Sequence, residues 1–180
     1  MILRKLVLLI ALISGNCLAC DNGKISDYIN NNQGFLVQAL SSDRISSGST
    51  IFFHYTSKND EHPDIIASYA SDRCVASQSI TFDTYSYDGS VANIESVFWG
   101  RGKYKKNLFI IVSWNYNADG VSTVGKYYSV FAYDYEKTKI TKNENLTIKF
   151  KEGHDGFVDG KVVKYRFKTA SDVLSYLEKN

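Results

Sequence analysis

The chain carries a single proline, Pro63, and has no low-complexity tract, internal repeat or heptad pattern. Nothing marks a linker, and one domain accounts for a chain of this length. Its longest early apolar run, Leu6 to Ile13, falls well short of the about 20 residues that a membrane-spanning helix needs. There is also little net charge. The formal value of +2 is removed if Arg4 and Lys5 are, leaving 19 basic against 19 acidic side chains. Such a balance gives no overall field to recruit nucleic acid, and no nucleic-acid partner is expected. Histidine and cysteine are scarce, at three each. Zinc needs several His, Cys or acidic side chains at close spacing, and only His54 with Asp60, Glu61 and His62 comes near, so no metal site is expected. Gly-x-Ser-x-Gly, Ser-x-x-Lys and His-Glu-x-x-His are all missing. No catalytic residues are assigned, and no cofactor is expected.

What is present begins with an export signal over residues 1–19. Arg4 and Lys5 form a short positive segment, the apolar run follows, and Cys17-Leu18-Ala19 ends in a small-residue cleavage site before Cys20. The mature chain, residues 20–180, is expected to be one β-rich domain working in the periplasm, where thiols oxidise. Cys17 leaves with the signal, and the remaining Cys20 and Cys74 are expected to form a disulfide. Lipidation of Cys20 is the competing reading. Ala19 suits it, Cys17 stands where leucine is usual, and Asp21 resembles an inner-membrane retention signal. Only that reading would bring the protein to a membrane.

The remaining composition favours strands, with 13 Tyr, 10 Phe and 2 Trp. The spacing predicts a helical start over 25–31 and 34–40, a strand over 50–55, and either element over 65–70. Strands are predicted over 78–87, 97–100, 108–116 and 126–135, with 108–116 and 126–135 as a central antiparallel hairpin. Leu108, Ile110, Val112, Trp114 and Tyr116 share what should be a core face. Residues 146–151 and 161–168 alternate apolar with cationic side chains and are predicted as strands with one charged face, which guards a sheet edge without any ligand. Between them, the acids and glycines of Glu152 to Gly160 are read as turn residues. Thr169 and Asp172 form a capping box that opens a C-terminal helix with Val173, Leu174 and Leu177 on its apolar stripe. The expected fold is mostly β or α+β, an antiparallel twisted meander with a C-terminal helix.

Charge is uneven along the chain. Residues 20–100 carry 4 basic and 10 acidic side chains, whereas 101–180 carry 15 and 9. If the halves occupy different parts of the fold the surface is bipolar; if they intermix, the fields cancel within a Debye length of about 8 Å. The segment Trp99-Gly100-Arg101-Gly102-Lys103-Tyr104-Lys105-Lys106 gathers four cations, two aromatics and two glycines in a connection between strands. Arg, Tyr and Trp are common interface anchors, and Arg101, Lys103, Tyr104 and Lys105 are the candidate partner-binding residues.

A signal peptide followed by a β-rich domain with the central WGRGKYKKNLFIIVSW and YYSVFAYDY pair resembles, in general form, the small exported immunity and inhibitor proteins of bacteria. The resemblance implies a protein that binds and occludes a toxin or envelope hydrolase, with no enzyme activity of its own. An envelope enzyme with dispersed catalytic residues, or a structural or accessory component of the envelope or of a secretion system, are the alternative expectations.

Overall fold

The computed structural model describes residues 23–86, 90–136 and 139–180, so the expected leader and Cys20 lie outside the described residues. Helix α1 (Gly23–Asn31) leads into β1 (Phe35–Ser41), β2 (Thr50–Tyr55), β3 (Ile65–Ala70) and β4 (Ile80–Tyr85), an antiparallel meander in the order β1-β2-β3-β4. A second antiparallel sheet follows, built from β5 (Ala92–Trp99), β6 (Asn107–Ala118), β7 (Thr123–Glu136), β8 (Lys139–Lys142), β9 (Gly153–Val158) and β10 (Lys161–Val163). Its order is β10-β9-β7-β6-β5, with β8 paired to β7. Helix α2 (Glu144–Thr147) sits between β8 and β9, and α3 (Ala170–Lys179) closes the chain. The antiparallel β-rich class and the C-terminal helix are thus as the sequence suggested, with the strands divided between two sheets. No helix among the described residues is long and apolar enough to cross a membrane.

The layers follow from side-chain alternation. Leu108, Ile110, Val112 and Trp114 of β6 meet Ile51 and Phe53 of β2 and Ile65, Ala67 and Tyr69 of β3 in one core. The opposite face of β6, Phe109 and Ile111, enters a second core with Tyr128, Val130 and Ala132 of β7, Leu146 of α2 and Val173 and Leu177 of α3. A third cluster joins Ile25 and Ile29 of α1 to Phe52 and Ala70 on the outer face of the first sheet. From one side to the other the order is therefore α1, first sheet, second sheet, α2 with α3.

A polar thread runs between the sheets. The hydroxyls of Tyr85 and Tyr133 lie 2.7 Å apart, and Tyr133 donates to Asp83 Oδ2 at 2.5 Å. Lys142 Nζ stands 3.6 Å from the same carboxylate. Both tyrosines are almost fully buried, and burial pushes both hydroxyls well above their usual pKa, so they remain neutral donors. A bulge at Phe82 shifts the β3–β4 register beside Asp83.

Four local readings are corrected. The 34–40 segment is β1 rather than helix: Gln33, at φ +62°, ends α1 in a turn, and the chain then pairs with β2 from Phe35↔Tyr55 to Ser41↔Thr50. Residues 146–151 are the end of α2 and a turn, because the Asn143 side chain caps Leu146 N at 2.9 Å and so starts a helix. Residues 153–158 are a strand rather than a turn. Gly156, at φ +143°, faces Gly125 across the β7–β9 pair, and a Cβ on Gly156 would lie 2.4 Å from Val124 O, so its glycine serves close backbone approach. Only Lys161–Val163 of the 161–168 segment pairs as a strand, although its alternation persists, with Tyr165 and Phe167 inside and Lys164 and Arg166 outside. The capping box is present as expected, with Thr169 Oγ1 accepting from Asp172 N at 3.2 Å and Asp172 Oδ2 accepting from Thr169 N at 3.0 Å.

Candidate interaction surface

The Arg101–Lys106 connection joins β5 to β6, and its shape is fixed from within. Gly100 N donates to Asn107 O at 2.9 Å, and Tyr104 N donates to Arg101 O at 2.9 Å, closing a tight turn over Gly102–Tyr104. Tyr104 is half-buried against the second core, and its backbone runs so close to Gly100 that a Cβ there would lie 2.3 Å from Tyr104 O. Trp99, by contrast, is packed inward, edge-on to Tyr135 at 5.1 Å with Arg44 over its face at 5.6 Å. Partly buried, it packs against the first core beneath the loop.

The cations point outward. Arg101, Lys103, Lys105 and Lys106 are all exposed, and the loop lies against the C-terminal end of α3. Lys103 Nζ donates to Asn180 O at 2.9 Å and stands 5.2 Å from the Tyr104 ring centre, while Arg101 reaches Glu178 at 3.9 Å. Positive side chains at a helix C-terminus are favoured by the helix dipole. Exposed pairs of this kind are worth only about 0.2–1 kcal/mol, so an incoming carboxylate can replace Glu178 at little cost.

Two hollows flank Tyr104. One of about 460 Å³ lies between the loop and Leu174, Leu177 and Glu178 of α3; the other, of about 400 Å³, is lined by Lys103, Tyr104, Asn107, Asp134, Asn143 and Lys149, among others. The structure therefore places the four sequence-predicted residues on one ridge and adds Lys149 and the end of α3 to the same surface. Those additions had no local signal, since they reach the loop only through the packing of α2 and α3.

The two halves of the chain meet within the second sheet, where β5 pairs with β6. The acidic half forms α1, the first sheet and β5, and the basic half forms the remaining strands and α2 and α3. Charge separated along the sequence is only partly separated by layer, since Glu95 pairs with Lys126 and Asp83 with Lys142 across the two halves.

Elsewhere, several charged groups are paired with one another. A bulge at Glu95 in β5 brings its carboxylate to Ser113 Oγ at 2.5 Å and Lys126 Nζ at 2.7 Å. Burial alone would raise the Glu95 pKa, but the hydrogen bonds from Lys126 and Ser113 and the Lys126 charge outweigh it and lower it. The bond to Glu95 holds Lys126 above its usual value, so the lysine stays protonated and cannot serve as a base for Ser113. Asp155 is held by Lys168 at 2.9 Å. His154 is packed between Tyr116 and Tyr127, at ring-centre distances of 4.8 and 4.9 Å. Among the described residues no three His, Cys, Asp or Glu side chains converge on a common point.

No protein-family model matches the chain, and no curated protein or solved structure is significantly similar to it. The functional reading rests on the chain's own geometry.

Gly100→Ala should force the loop away from Tyr104, at the cost of about 1–3 kcal/mol usual for overpacking. Urea unfolding of the variant checks this; an unchanged midpoint would show that Gly100 does not fix the loop.

Proposed function

We propose that this is an exported binding protein that occludes a toxin or envelope hydrolase in the periplasm, acting as an immunity protein or inhibitor and not as a catalyst. The supporting observation is the ridge of Arg101, Lys103, Tyr104 and Lys105, rigidly seated between two hollows and rich in unburied positive charge. Hydrolases that bind cationic or polymeric substrates commonly present an acidic cleft, and a pre-shaped cationic loop enters one without the ordering cost that a floppy loop would pay. The cations steer the encounter, and the half-buried Tyr104 ring supplies an anchor of the residue type that dominates interface energies.

The test is affinity capture from the host periplasm with mature protein and with a variant carrying Arg101, Lys103, Tyr104 and Lys105 all replaced by alanine. One stoichiometric secreted toxin or hydrolase, inhibited on binding, is expected with the wild type. The variant should lose at least about 2 kcal/mol, roughly thirty-fold in affinity. Equal affinity of the two proteins would remove the loop as the contact, and recovery of the bait alone from a fraction containing such enzymes would overturn the reading.

The Cys20–Cys74 disulfide belongs to the same proposal. Cys74 is exposed just ahead of the Ala76–Gln78 turn, and Ala76 packs with Ile25 and Ile29 of α1. Cys20 precedes Gly23 by three residues, a span of at most about 10 Å. The bond would tie α1 to the first sheet and, in the chain-entropy model, contribute about 4 kcal/mol. Mature protein purified from the periplasm and denatured without reductant should take up no maleimide, and two labels after reduction. A single label without reductant, with an acyl mass at Cys20, would establish lipidation instead.

A further inference from the structure

Helix α1 covers only part of the outer face of the first sheet. Its nine residues extend about 13 Å, and they bury Ile25 and Ile29 over Phe52 and Ala70. Beyond the end of the helix a hollow of about 320 Å³ remains, lined by Tyr28 of α1, Asn32 in the turn after it, His54 of β2, Thr56 after it, Ser68 of β3 and Thr81 of β4, together with Ile29 and Ile66. Its volume lies at the lower end of the range for small-molecule sites.

We propose that this hollow binds one ring of a neutral saccharide. The site lies on the α1 side of the molecule, across both sheets from the cationic loop, and is independent of the occlusion reading.

The class of ligand follows from the lining. It contains hydroxyls, an amide and an imidazole but no Lys, Arg, Asp or Glu. An ion entering it would lose its hydration with no opposite charge to replace it. A wholly apolar ligand would leave the surrounding hydroxyls and amide without partners. A ring with hydroxyls around its rim and C–H groups on its faces satisfies both constraints, because the polar groups converge from α1 and the turn after it, β2, β3 and β4 while half-buried Ile66 and the Tyr28 ring offer apolar surface. The donor and acceptor inventory is partly pre-set. Asn32 Nδ2 donates to Tyr28 O at 2.7 Å, which leaves the Asn32 carbonyl oxygen as an acceptor. The Nδ1 of His54 is buried without a hydrogen-bond partner, leaving Nε2 as the nitrogen able to meet a ligand. Burial lowers the His54 pKa, so the imidazole stays neutral near pH 7 and the hollow stays uncharged.

The experiment is a titration of isotope-labelled mature protein with methyl glucoside and with N-acetylglucosamine, followed by NMR shifts of backbone amides and histidine ring signals. Acetate and methylammonium serve as charged controls. At least one sugar is expected to shift signals of Tyr28, His54, Thr56, Ser68 and Thr81 in fast exchange, with a millimolar dissociation constant appropriate to a single small ring. The controls should leave those signals unmoved. His54→Phe keeps a ring in place and removes its nitrogens, and Thr56→Val removes a hydroxyl at constant shape; each should weaken the sugar several-fold with the rest of the spectrum unchanged. The four-alanine loop variant should bind the sugar as the wild type does, which separates this site from the occlusion surface. Absence of shifts with both sugars, a stronger response to either ion, or undiminished sugar binding by His54→Phe and Thr56→Val would overturn the proposal.

Discussion

The burial of β6 on both of its faces is the constraint on which the other elements depend. Leu108, Ile110 and Val112 are inaccessible on one side, and Phe109 and Ile111 are inaccessible on the other. A strand of this kind must have a layer on each side, and it obtains them from different stretches of chain: the first sheet from residues before it, and α2 and α3 from residues after it. Its long pairing with β7, from Asn107↔Asp134 to Ala118↔Thr123, holds both cores in register. Burying a large apolar side chain is worth about 1.5–3 kcal/mol, so this one strand contributes to both cores far more than any exposed ion pair contributes anywhere.

The same constraint places the loop. Lys106 immediately precedes β6, and Trp99 ends β5, its neighbour, so the cationic connection grows from the β5–β6 pair of the second sheet. With Gly100 and Tyr104 in van der Waals proximity and Trp99 locked against Tyr135, little freedom remains to be lost when a partner arrives.

How far the sequence discloses this differs by element. Apolar, aromatic-rich runs made β6 and β7 with their pairing, and β2, legible, and the capping box and apolar stripe did the same for α3. Alternation reports burial more faithfully than hydrogen bonding. In the 161–168 segment Tyr165 and Phe167 point inward as their spacing suggests, yet only three residues pair as a strand. The 146–151 segment misled because one side-chain cap at Asn143 starts a helix where apolar and cationic residues happen to alternate. Glycine was ambiguous for a related reason. Gly156 serves close contact with Gly125, a partner in another strand, and a local reading of its neighbours supplies only the turn explanation. For the candidate surface, the four loop residues were visible as a local cluster of charge and aromatics. The hollows beside them were not, because α3 and Lys149 are distant in sequence and meet the loop only in the folded chain.

Native-state hydrogen exchange, read residue by residue, addresses the organising role of β6 most directly. If the strand joins both cores into one cooperative unit, the amides of residues 108–112 and of their partners in β7 exchange only through global unfolding, with one common free energy that also governs the central amides of β2 and β3. If β2 and β3 keep their protection after β6 has exchanged, or the reverse, the two sheets open independently and β6 does not hold the fold together.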